Sequence, residues 1–131
     1  MTALSITAVR ATSDTETQRV KYGATVAAGN PLYLDTSKYK LGANTSTTLA
    51  NVSGIAMTPG VDDGYGIVAK SGSIYLVGPT MTVGETYYVG ASGEIVPSTD
   101  ITSTKVVTRL GTASSANVLK LSIEATGITH G

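Results

Sequence analysis

Cysteine, phenylalanine and tryptophan are all absent from the 131 residues, and charge is scarce: 9 basic and 9 acidic residues make up 14% of the chain and cancel to a formal net charge of +0. Each absence removes a class of function. Without cysteine there are no disulfides, no thiolate metal ligands and no thiol nucleophile, whatever the redox state of the compartment. Without phenylalanine and tryptophan the core must be built from Val, Ile, Leu and Ala, with 7 tyrosines as the only aromatic rings; a tyrosine keeps a polar tip and suits half-buried positions. The charged fraction falls below the ~25% usual in globular domains, and no basic stripe is present to grip a nucleic-acid backbone. No run approaches the ~20 apolar residues of a membrane-spanning helix. The opening Met1-Thr-Ala-Leu-Ser lacks the basic start and apolar stretch of an export signal, which predicts synthesis as a soluble cytosolic protein.

What the chain does contain is Thr, Ser and Gly, with 15 glycines, the blend of strands joined by tight turns. Short apolar stretches predict strands at Pro31–Leu34, Tyr39–Leu41, Val52–Met57, Tyr65–Ala69, Ile74–Val77, Thr86–Val89, Glu94–Val96, Val106–Gly111 and Val118–Ile123. Asp63-Gly64, Ser71-Gly72 and Ser92-Gly93 read as hairpin turns between them. Thr45–Ala50 and Thr99–Thr104 fit either a helical turn or a loop. The expected fold is all-β, a small barrel or sandwich, with one domain over 24–131 preceded by an extended N-terminal arm over 1–23.

In that arm Leu4, Ile6 and Ala8 alternate with polar residues, as a half-buried strand does, while Thr12–Arg19 is polar and aperiodic. An apolar strand on a polar tether needs a sheet to join. The expectation is that Leu4, Ile6 and Ala8 contact a neighbouring subunit and that Arg10 and Arg19 find acidic or carbonyl partners there. The alternative is a strand folded back on its own domain.

The second half of the chain echoes the first. Gly29-Asn-Pro-Leu-Tyr33-Leu34 returns as Gly84-Glu-Thr-Tyr-Tyr88-Val89, followed in each copy by a charged-apolar step (Lys40-Leu41, Glu94-Ile95), a threonine-rich connection, and Gly54-Ile-Ala56 or Gly111-Thr-Ala113. One β-unit is used twice, too few times for a stacking array, which needs ~3 copies. If the copies are structural equivalents, Leu32, Leu34, Tyr87 and Val89 belong to one face, and Tyr33 and Tyr88 to the other.

Residues with chemical potential are few. Asp62-Asp63 holds two carboxylates, but a hard cation needs several converging, so Asp-Asp-Gly reads as a turn. His130 is the single histidine and has no companions for a triad or a zinc site. Gly60-Val-Asp-Asp-Gly64-Tyr-Gly66 satisfies neither phosphate-loop pattern and precedes no helix, so its glycines read as turn residues. Lys38-Tyr-Lys40 reads as a solvated strand face. Asn44-Thr-Ser and Asn51-Val-Ser match the glycosylation sequon, which is idle in a chain that is not exported. No catalytic, metal or cofactor site is expected.

The ordered run Ile6-Thr-Ala, Val26-Ala-Ala-Gly29-Asn-Pro-Leu-Tyr33-Leu, Lys38-Tyr-Lys-Leu41, Gly54-Ile-Ala56, Gly72-Ser-Ile74, Val83-Gly84-Glu-Thr-Tyr-Tyr88-Val, Gly93-Glu-Ile95, Leu110-Gly111-Thr-Ala and Val118-Leu-Lys-Leu121-Ser-Ile123 resembles the capsid cement, or head decoration, proteins of tailed bacteriophages. The likeness spans nearly the whole chain. It departs at Gly60–Gly66, where many relatives have a Gly-Gln-type step. The resemblance implies a β-rich fold, no enzymatic activity and no cofactor. It further implies a small protein, often a trimer, made in the bacterial host cytoplasm, that binds the outside of the assembled head and locks major capsid protein subunits together. Two other readings stand beside it: a tail, baseplate or fibre-base component, and a host-surface adhesin binding glycans through tyrosine, against which the lack of tryptophan counts.

Overall fold

The structure is a computed structural model that describes residue 4 and residues 6–90, 93–97 and 105–129, with side chains described as far as residue 126. It is all-β, and none of the described residues forms a helix. Among the described residues ten strands make one antiparallel sheet that curls into half a barrel: β1 (Ala8–Ala11), β2 (Glu16–Lys21), β3 (Pro31–Asp35), β4 (Lys38–Leu41), β5 (Val52–Ala56), β6 (Tyr65–Val77), β7 (Thr86–Val89), β8 (Ile95–Pro97), β9 (Val106–Ala113) and β10 (Val118–Thr129).

The central strand is β6. Val68 and Ala69 pair with Gln18 and Thr17 of β2 on one edge and with Ala56 and Ile55 of β5 on the other. Further along, Ile74 and Tyr75 pair with Ala11 and Arg10 of β1 and with Leu119 and Val118 of β10. β1 and β2 thus follow one another along one edge of β6, while β5 and β10 share the other. Two sequence expectations are corrected here. Ser71-Gly72 does not end a strand: Gly72 takes φ +84 inside β6, where the strand bends between its two sets of partners. The N-terminal segment does not reach outward: β1 and β2 complete the chain's own sheet, since hydrogen bonds along the edge of β6 satisfy their backbone. The polar run at 12–19 is half strand, because β2 lies at the edge and its side chains Glu16–Arg19 face water.

The internal echo is structural. The first copy is ordered β4-β3-β5-β6 and the second β8-β7-β9-β10. Tyr33 pairs with Lys40 and Val52, and Tyr88 pairs with Val96 and Arg109. Each copy carries a β-bulge at the same step, between Leu32 and Tyr33 and between Tyr87 and Tyr88. A bulge bends its strand and increases the local twist, so the two copies curl at the same point.

Their cores differ. In the first copy Leu32, Ala56 and Val68 line a small core with Val20, Tyr22, Val26 and Tyr39. Their counterparts Tyr87, Ala113 and Leu119 line the large core. The opposite face of the first copy is apolar too, and its Val52, Ile55 and Ala69 enter that same large core. The corresponding Arg109, Thr112 and Lys120 of the second copy face solvent. The first copy is therefore buried on both faces and the second on one, as the apolar run Gly54-Ile-Ala56 and the alternating Arg109-Leu-Gly-Thr-Ala113 foretell. The expected face sharing holds at Leu32 and Tyr87 but splits at the next same-face position, where Leu34 is 51% exposed and Val89 0%.

Candidate interaction surface

Tyr22, immediately after β2, organises the loop between β5 and β6. It is 0% exposed, and its hydroxyl donates to the Thr58 carbonyl at 2.8 Å. Its own backbone is clasped by the loop, with Tyr22 N–H on Gly64 O and Asp63 N–H on Tyr22 O, both at 2.8 Å. The ring lies so close to Gly60 that a Cβ there would stand 2.5 Å from Cδ2, and at Gly66 a Cβ would overlap Cζ and the hydroxyl. Gly60 and Gly66 leave room for the tyrosine ring, while a Cβ at Gly64 would meet the Val61 backbone. Burial raises the Tyr22 phenol above its ordinary range, against the bond to Thr58.

The same loop carries charge outward. Lys38 on β4 reaches Asp63 Oδ1 at 2.5 Å and Asp62 at 3.6 Å, and Lys21 on β2 lies 3.8 Å from Asp63. Asp63 itself takes φ +67, a left-handed turn conformation that Asp tolerates. Lys40 pairs with Asp35 at 2.8 Å. Tyr39, between the two lysines, turns the other way into the small core and accepts a hydrogen bond from Lys70 Nζ at 2.6 Å. The solvated lysine face expected at Lys38-Tyr-Lys40 is present, tied down by the turn carboxylates.

The hydrogen bond to Lys38 lowers the Asp63 carboxyl below its ordinary value of 3.8, and the same bond raises Lys38 above 10.5. A depressed carboxyl contributes stability above its unfolded pKa and loses it as pH falls through the folded one; a raised lysine contributes below its unfolded pKa and loses it as pH rises through the folded one. The pair thus works between acid and strongly alkaline pH, and its exposure keeps it weak. Thermal melts of wild type and Lys38→Ala are expected to differ slightly at pH 7 and to converge as pH drops below 4. A gap that persists at low pH would show that the pair is not its source.

Beside these ion pairs lies an exposed aromatic patch. The Arg19 guanidinium sits 4.7 Å above the centre of the Tyr65 ring, with Lys21 Nζ at 6.0 Å. Tyr65 is nonetheless 59% exposed, and neighbouring Val61 is 62% exposed. Nothing in the strand pattern announced them, but two large apolar residues flanking an Asp-Asp-Gly turn were the available signal.

A second opening lies where β5 and β10 part company beyond Gly72. It is a cleft of about 370 Å³ between β3, the turn before β5, and β9 and β10, lined by Tyr33, Leu34, Thr47, Thr48, Asn51 and Thr108, among others. The undecided Thr45–Ala50 segment is a hydrogen-bonded turn, with Ala50 N–H on Ser46 O at 3.0 Å. The Thr108 hydroxyl is spent on the Ala50 carbonyl.

The residues expected at a subunit contact are scattered over the chain's own structure. Leu4 and Ile6 pack against the large core, and Leu4 N–H donates to Ile95 O at 2.9 Å. Ala8 pairs with Val77 on β6. These three are in use within the chain and remain partly exposed. Arg10 and Arg19 are exposed. Asn44 is buried and donates to Val89 O at 3.2 Å, so its sequon is inaccessible, whereas Asn51 is open. His130 and Thr99–Thr104 lie outside the described residues. Among the described residues no three acidic or histidine side chains are grouped to hold a metal ion.

No protein-family model matches the chain, and no curated protein matches it in sequence.

Proposed function

We propose that this is a non-enzymatic decoration protein that binds the outside of an assembled phage head and stabilises contacts between major capsid protein subunits, itself assembling as a trimer. The resemblance in motif order supports it, and those motifs, apart from Ile6-Thr-Ala at β1, fall on or beside the strands of the two equivalent β-units. The observation that carries the reading is the Arg19–Tyr65–Val61 patch. Tyr and Arg are the residue types that dominate protein interfaces, and a large, exposed, cation-capped ring beside an apolar neighbour has the makings of an interface anchor. Several such anchors on one oligomer raise the effective concentration of each contact, so modest patches sum to a firm hold.

The test is cosedimentation with assembled heads that lack the protein, with light scattering to give its oligomeric state. Wild type is expected to be a trimer and to pellet with heads. Arg19→Ala combined with Tyr65→Ala is expected to weaken binding at least ~10-fold, as loss of a hot spot of about 2 kcal/mol does, while Tyr75→Ala on the opposite part of β6 leaves it unchanged. Wild-type protein that leaves heads bare and labels tails in electron microscopy would overturn the reading in favour of a tail component.

A further inference from the structure

At the cleft between the two β-units the internal symmetry is broken in favour of an opening. Leu34 and Val89 hold matching positions in strands with the same pairing and the same bulge, yet Val89 is sealed in the large core while Leu34 is 51% exposed on the cleft wall. A leucine left unpacked where its counterpart is core is a surface awaiting cover. Around it stand groups of a different kind. The exposed side chains of Thr47, Thr48 and Asn51 line the cleft and make no hydrogen bond to the described residues. None of the described lining residues is charged. Lys40, the cross-strand neighbour of Tyr33, is already held by Asp35 at 2.8 Å.

We propose that this cleft is a binding site for a neutral carbohydrate. Its volume of about 370 Å³ falls in the ~300–1,000 Å³ range of small-ligand sites. An uncharged lining offers nothing to neutralise a phosphate, a carboxylate or a metal ion. Hydroxyl and amide side chains both donate and accept, which matches the hydroxyls of a sugar. Leu34 offers apolar surface to the C–H face of a pyranose. Of the described wall strands, β3 and β9 are each paired on both sides, and only β10, whose pairing with β6 ends at Leu121, has an edge to offer an extended peptide. The site is separate from the Arg19–Tyr65 patch and does not depend on attachment to a shell.

Amide chemical-shift titration of the full chain tests this with neutral trisaccharides of glucose, galactose, mannose and N-acetylglucosamine, an oligogalacturonate as the acidic counterpart, and a capped neutral tetrapeptide. The expected result is saturable shifts at Thr47, Thr48 and Asn51 with at least one neutral sugar, at a Kd on the order of 1 mM. Asn51→Ala and Thr48→Val, both on the exposed turn, are each expected to lower that affinity about fivefold, the loss that goes with one hydrogen bond. Spectra of the variants that overlay on wild type away from the turn establish that the fold is intact. Absence of saturable shifts with every neutral sugar, shifts located elsewhere, unchanged affinity in both variants, or tighter binding of the acidic sugar or the peptide would each overturn the proposal.

Discussion

Gly72→Ala is expected to lower stability by about 3–5 kcal/mol, adding the strain of a non-glycine residue at positive φ to that of an overpacked contact. Gly72 sits at φ +84 in the middle of β6, and a Cβ there would overlap the Asp14 carbonyl oxygen. The obstruction cannot step aside. Asp14 belongs to the bend between β1 and β2, which is fastened to β6: its Oδ1 accepts from the Thr12 hydroxyl at 2.5 Å and from Ser73 N–H at 3.2 Å, and the Thr15 hydroxyl donates to Ser73 O. Gly84→Ala supplies the control, since Gly84 has a similar φ of +86 with nothing within 4 Å of the added Cβ. It is expected to cost about 1 kcal/mol, backbone strain alone. Thermal unfolding should therefore show a fall on the order of 10–20 °C for Gly72→Ala and a few degrees for Gly84→Ala. Equal falls would mean that conformation, not the contact with Asp14, explains the glycine.

The second large effect is at Tyr22. Tyr22→Ala empties a fully buried ring from the small core and should destabilise by about 3–5 kcal/mol, while Tyr22→Phe keeps the ring, loses the bond to Thr58, and costs about 1 kcal/mol. The sharper measurement is a double-mutant cycle with Gly66→Ala. In wild type the added methyl collides with the ring; with the ring gone, the methyl has room. Gly66→Ala should be strongly destabilising alone and nearly neutral in the Tyr22→Ala background, giving a coupling on the order of 1–3 kcal/mol. Additive effects would show that Gly66 is needed for some reason other than Tyr22.

Strand positions and the duplication were legible because both rest on local pattern. Gly54-Ile-Ala56 and Gly111-Thr-Ala113 announce strands by composition, and the echo of Leu32-Tyr33 in Tyr87-Tyr88 even marks the shared bulge. What pattern could not supply was the partner of each strand. Thr12–Arg19 looks like a tether because an edge strand with four exposed side chains in succession, Glu16 to Arg19, leaves almost no period to detect. Ser71-Gly72 looks like a hairpin because positive φ serves a mid-strand bend as well as a turn. The candidate sites were hidden for a related reason. Tyr65 is read as the first residue of a strand, and only its neighbour Arg19, distant in sequence, makes it a capped and exposed ring. Leu34 alternates as a core residue should; its exposure follows from the parting of β5 and β10, which no local window contains.

The place of β6 also sets the order in which the chain can be completed as it is made. Its first half meets β2 and β5, all synthesised by Val77, so the first β-unit and its small core can close while the remainder is still within the ribosome. Its second half must wait for β10, the last of these ten strands to emerge, before its other edge is covered. Until then Ile74 and Leu76 lie on an open strand edge with β1 on one side only. The nascent protein therefore passes through a stage in which a half-built sheet shows an apolar edge to its surroundings. A chain truncated just before Val118 would be arrested at that stage, and pairing between copies through that edge is its ready route to aggregation.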